Sequence, residues 1–147
     1  LLEREMTKYR IHVEKQFDNV PEAMANGNQI QQVLINLLIN ARQAMPEGGT
    51  VLLKLSHAPD QGMVVMTVRD SGSGIPQDKL PKIFDRFYST KEGPDESGKG
   101  GTGLGLSACR NIIEAHQGRI RVESSVGKGT QFTIMLPAAG TTPKAAA

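Results

Sequence analysis

The segment GKGGTGLGLS, residues 98–107, holds five glycines in ten positions and turns apolar at Leu104. Glycine costs chain entropy, so this density implies a backbone that must approach something closely or take positive φ. A helical pattern begins at Leu104, where free N–H groups and the positive end of the helix dipole would suit an anion such as phosphate. A flexible surface linker is the other reading of the segment taken alone. Upstream, Gln29, Gln32, Asn36, Asn40 and Gln43 recur at spacings of three and four and share one helix face. Solvated faces usually carry Lys and Glu. Neutral amide oxygens instead suit a magnesium ion already riding on a polyphosphate, because Mg²⁺ takes few protein ligands and keeps its waters. Along MVVMTVRD, Val64, Met66, Val68 and Asp70 alternate onto one side, which sets a carboxylate at the mouth of a core. A buried carboxylate is expensive unless a donor meets it. The amino group of adenine is such a donor, whereas guanine offers a carbonyl there. Asp70 as a plain turn residue ahead of Gly72 is the alternative. Thr130 shares a face with Phe132, Ile134 and Leu136 and would bring a hydroxyl to the same base.

Two better-known phosphate motifs fail. GPDESGKG, residues 93–100, nearly spells G-x-x-x-x-G-K-[ST], yet position 100 is glycine and the magnesium-binding hydroxyl is missing. GTGLG, residues 101–105, lacks both a preceding strand and the dinucleotide spacing.

Positioning these groups requires a definite set of elements. Residues 9–17 alternate as a strand, and 27–45 form the clearest helix, closed by Pro46 and Gly48–Gly49. Strands over 50–56 and 63–70 flank a turn at 59–62, and 76–88 read as a loop with short helical pieces. A second helix over 104–117 stops at Gly118, followed by strands over 119–124 and 130–136 around a turn at 126–129. The expected fold is α/β (α+β), a two-layer sandwich with a mixed, mostly antiparallel sheet of about five strands and helices on one face.

A length of 147 residues fits one domain with a real core. The net charge of +2 is too small to argue for nucleic acid, which is not expected as a partner. Cys109 is the single cysteine, so no internal disulfide is possible, and a cytoplasmic setting is expected, with or without a membrane anchor on the parent protein. Residues 138–147 read as a disordered tail.

Taken together, the motifs resemble the catalytic ATP-binding domain of sensor histidine kinases, in the wider family that includes DNA gyrase B, Hsp90 and MutL. NLLINA (36–41) resembles the N box, DSGSGI (70–75) the first glycine box and KIFDRFYSTK (82–91) the phenylalanine box. GGTGLGLS (100–107) is similar to the second glycine box and GKGTQF (127–132) to the third. Each is weak alone; five in the family's order are specific.

The resemblance implies a Bergerat-type sandwich over residues 9–137, with residues 1–8 as the end of a preceding helical dimerisation domain. Asn40 would be the magnesium ligand, with Asn36 also beside the metal and phosphates and Lys91 a phosphate partner at the lid edge. Asp70 would bind the adenine amino group, directly and through a water shared with Thr130. Gly72, Gly74 and Ile75 would shape the base pocket, and Gly101, Thr102, Gly103, Leu104, Gly105 and Leu106 would wrap the phosphates. Lys99 and Arg42 are better read as solvated charges, and Phe84 and Phe87 as core or as a latch that couples lid closure to docking. The implied activity is transfer of the ATP γ-phosphoryl group to a histidine on a separate dimerisation domain of the same homodimeric parent. A downstream response regulator would follow. None of His12, His57 and His116 sits in a phosphoacceptor context.

Two departures stand out. Many kinase relatives carry Lys-Tyr soon after the second N-box asparagine, where this chain has Gln43 and Ala44. ATP-hydrolysing relatives place a glutamate one turn before the metal asparagine; Asn36 stands there and cannot act as a general base. A GHKL-type ATPase, a nucleotide-sensing module without transfer and a protein serine kinase remain as alternatives.

Overall fold

In a computed structural model, residues 2–19, 25–84 and 104–138 are described. Helix α1 (Leu2–Lys8) leads into strand β1 (Ile11–Phe17), two residues later than the alternation predicts, because Tyr9 and Arg10 turn the chain and Arg10 takes φ 62°. Helix α2 (Gly27–Gln43) starts at Asn26, whose side chain accepts from the N–H groups of Asn28 and Gln29. That N-cap satisfies two of the orphan donors of the first turn. Val33, Leu37, Leu38 and Ala41 form its buried face, each of the larger side chains contributing about 1.5–3 kcal/mol on burial. Strands β2 (Gly49–Ala58) and β3 (Met63–Asp70) follow, then a 3₁₀ turn at Leu80–Lys82, helix α3 (Leu104–Ala115), and strands β4 (Arg119–Ser125) and β5 (Gly129–Pro137).

The five strands lie in the order β1-β2-β3-β5-β4. Only β1 and β2 are parallel, joined across α2 as a parallel pair requires; the other pairings are antiparallel. The mixed, mostly antiparallel sheet expected from the sequence is therefore present. Helix α3 ends at Ala115, two residues earlier than its glycine suggested. Gln117 takes the left-handed conformation at φ 61°, and the Gly118 N–H donates to the Ile113 carbonyl at 2.9 Å. This is a Schellman closure, with the glycine one position beyond the left-handed residue.

Register explains where the core stops. Leu53, Val68, Phe132 and Val122 form one cross-strand row, and Leu55, Met66, Ile134 and Ile120 form the next. Both rows point under α2 and α3. The row on the other side of Leu53–Val122 is Val51, Asp70, Thr130 and Ser124, which is polar at three of four positions. At the far end of β5, Ala138 is buried and its N–H donates to Gly62, so order continues one residue into the expected tail; residues 139–147 lie outside the described residues. Among the described residues no helix is long and apolar enough to cross a membrane.

Candidate functional site

Asp70 ends β3 and is buried, only 7% exposed. Its Oδ1 accepts from the N–H of Gly72 at 2.8 Å and from the N–H of Thr130 at 3.3 Å. Among the described residues nothing bonds Oδ2. Burial raises the Asp70 pKa above 3.8, and the two main-chain donors pull it back. A carboxylate held this way keeps one oxygen for a donor that the described residues do not supply.

The turn after Asp70 is fastened on both sides. Ser73 donates its N–H to the Ala44 carbonyl at 3.1 Å, tying it to the end of α2, and accepts from the Gly127 N–H at 2.8 Å. Gly74 has φ 79°, and a Cβ there would run into the carbonyl of Ser125. Gly129 likewise abuts the Asp70 carbonyl with φ 117°. Only glycine fits at either place, which is why the first and third glycine boxes can interlock. Ile75 is partly buried against the core.

Helix α2 supplies the second wall. Asn36 and Asn40 are partly buried on the polar stripe, two turns and one turn before Ala44 respectively. The Asn36 Nδ2 donates to the Cys109 Sγ at 3.6 Å, and its Oδ1 accepts from Gln32 Nε2 at 3.3 Å. Cys109 is completely buried, its thiol pKa pushed up by that burial. It is a structural residue between α2 and α3. Helix α3 begins at Leu104 with Gly105 in open space and Leu106 packed against the core. Lys91, Lys99, Gly101, Thr102, Gly103 and Phe87 lie outside the described residues. Phe84 meets Phe132 edge-on at 6.3 Å between ring centroids, and Arg42 lies over the Tyr9 ring at 4.6 Å.

The family model described as histidine kinase-, DNA gyrase B-, and HSP90-like ATPase matches residues 25–140. The chain belongs to that family. Among this family's members, sporulation kinase C of Bacillus subtilis (strain 168) is 42% identical over 139 residues, 93% of this chain and 30% of the relative. The chain thus spans less than a third of that kinase. The catalytic domain of histidine kinase ThkA superposes with a TM-score of 0.78 at 35% identity, covering 93% of this chain and 85% of that one. Full-length ShkA in complex with AMPPNP gives a TM-score of 0.80 at 28% identity, covering 97% of this chain and 29% of that one. The sandwich expected from the motifs is the fold of these ATP-binding domains.

One residue of the site region, Ser124, escaped the sequence reading. Ser124 accepts the Ile75 N–H at 2.7 Å and lies 2.8 Å from the Thr130 hydroxyl. Its signal was present: Ile120, Val122 and Ser124 alternate apolar, apolar, polar, as β3 does before Asp70. His116 accepts the Asn26 N–H through Nε2 at 3.0 Å, while its Nδ1 meets the Ile112 carbonyl at 2.7 Å. It pins the N-cap of α2 to the end of α3 across 90 residues of sequence, a link no local pattern announces.

Proposed function

We propose that this chain is the ATP-binding catalytic domain of a two-component sensor histidine kinase, which donates the γ-phosphoryl group of ATP to a histidine on a separate dimerisation domain. The observation that carries the base reading is Asp70, whose one unbonded oxygen ends an otherwise apolar sheet face. An adenine amino group satisfies that oxygen, and a guanine carbonyl is repelled by it. Gly72, Gly74, Ile75 and Thr130 surround the same position. The phosphates would lie toward the start of α3, near Leu104, Gly105 and Leu106, with Gly101, Thr102, Gly103 and Lys91 closing over them.

Magnesium is the cofactor this family reading implies. The amide oxygens of Asn36 and Asn40 fit it, being neutral donors suited to an ion that arrives already bound to phosphate. When bound, the ion would offset phosphate charge during transfer. The contribution of the chain itself is to hold base and phosphates at fixed separation and to exclude a general base from the water side. Asn36 occupies the position from which a carboxylate would activate water, so futile hydrolysis is slow. His116 is engaged in the fold and neither His12 nor His57 stands in a phosphoacceptor context, so the proposal places the acceptor histidine on the dimerisation domain. The setting is cytoplasmic, and the onward partner is a response regulator.

The test is incubation of the chain with γ-labelled ATP, with and without the histidine-bearing domain of its parent protein. Acid-labile label on that domain is expected. Free phosphate released by the chain alone would instead establish an ATPase, acid-stable label a serine kinase, and retained but untransferred nucleotide a binding module.

A further inference from the structure

Ser124 accounts for every hydrogen-bonding valence of one side chain, and this has a consequence for the base pocket. A serine hydroxyl has one proton and two lone pairs. The Ile75 N–H can only donate, so it occupies one lone pair at 2.7 Å. The Gly129 carbonyl can only accept, so at 2.9 Å it takes the single proton. The remaining contact is with the Thr130 Oγ1 at 2.8 Å. With the Ser124 proton committed, the proton in that contact must be the one on Thr130. Thr130 therefore points its proton away from Asp70 and keeps only lone pairs for anything placed against the row.

We propose that Ser124 is a specificity-determining positioning residue that turns the Thr130 hydroxyl into an obligate acceptor. The base-recognition row then presents acceptors alone: the Asp70 carboxylate on β3 and the Thr130 oxygen beside it on β5. A purine bearing an amino group at its 6-position can donate to such a row. A purine with an oxo group there sets that oxygen against two acceptors, with only its neighbouring N1–H left to donate. Selection rests on a proton count across three strands, with Asp70 supplying only part of it. Ser124 is well placed for this because Gln77 Nε2 also donates to its carbonyl at 2.6 Å, which fixes the main chain that carries the hydroxyl.

The inference rests on the reading of the site as an adenine-nucleotide pocket, and the experiment separates the two. ADP and inosine diphosphate, which differ at the purine 6-position, are titrated into the chain by calorimetry with magnesium present. The chain should bind ADP more tightly than inosine diphosphate. In Ser124→Ala the Thr130 proton loses its acceptor and is free to turn toward the base. The preference for ADP should then shrink about three- to tenfold, the range of one neutral hydrogen bond. Ser124→Cys keeps the side-chain shape but is a weak hydrogen-bonding partner, so it should narrow the preference in the same direction. Ser124→Thr retains the hydroxyl and should retain the preference. Equal losses for both nucleotides in Ser124→Ala and Ser124→Cys, or an unchanged ratio, would overturn the proposal and leave the nucleotide reading standing. Failure of the unsubstituted chain to bind ADP would overturn the nucleotide reading itself, and this inference with it.

Discussion

At Asp70 two main-chain N–H groups, from Gly72 and Thr130, converge on one carboxylate oxygen. At Asn36, on the opposite wall, a side-chain amide bonds a thiol and a glutamine that are themselves side chains. The first arrangement is built into the ladder between β3 and β5 and survives any rotamer change nearby. The second depends on three side chains keeping their conformations. The sheet wall is thus suited to reading a rigid base. The wall on α2, neutral and adjustable, is suited to a hydrated ion and to phosphates whose geometry changes during transfer.

The sharpest way to break this contrast is Asp70→Asn. An amide retains an acceptor for Gly72 and Thr130 but presents a donor where the second carboxylate oxygen was. ADP affinity should fall roughly 10- to 100-fold, the loss of one charge-assisted hydrogen bond of about 1.5–3 kcal/mol. Calorimetry gives the affinity, and inosine diphosphate should lose much less.

The same carboxylate makes stability and binding run in opposite directions with pH. Burial raises the folded-state pKa of Asp70 above 3.8, so between that value and the higher folded-state one the folded chain holds more protons than the unfolded chain. The contribution of Asp70 to stability is fully present below 3.8 and is lost as pH rises through its folded-state pKa. Adenine binding needs the ionised form and should weaken as pH falls through that same value. Urea titrations and ADP titrations across the window check both signs, and Asp70→Asn should flatten both.

Gly74→Ala would disturb the sheet wall through the backbone. A side chain at φ 79° against the Ser125 carbonyl should cost about 1–3 kcal/mol, seen as a lower urea midpoint with an unchanged slope. On the other wall, Asn36→Ala should leave magnesium-free ADP binding nearly intact while lowering apparent magnesium affinity about 10-fold. If it weakened ADP equally with and without magnesium, the assignment of that wall to the metal would fail. The smallest effect is expected at Arg42→Ala. It removes the stack on Tyr9, worth about 0.5–1 kcal/mol, and should not change nucleotide affinity, which separates Arg42 from the phosphate-binding groups.

Much of the fold was legible because its signals are local. The β3 strand was bounded correctly by its alternation, and the start of α2 by its amide and leucine periodicities, although α2 ends at Gln43, two residues before the expected 45. Asp70 was found because three apolar residues precede it on the same face. Ser124 carries the same signal on β4 but was passed over, since a serine at a strand end is more often a turn residue than a wired hydroxyl. The left-handed residue that closes α3 was misplaced by one, because glycine at 118 is demanded by the carbonyl of Met135 on β5 rather than by its own φ.

The order of residues by itself determined which side chains share a face, since periods of 2 and 3.6 are properties of the backbone. It also determined that Asp70 and Asn36 are unusual where they stand, because a carboxylate or an amide among leucines is costly without a partner. Which atoms became those partners was decided only by tertiary structure. Thr130 reaches Asp70 across 60 residues and Cys109 reaches Asn36 across 73. Hydrogen bonds act over about 3 Å of space, and separation along the chain says nothing about who will occupy it.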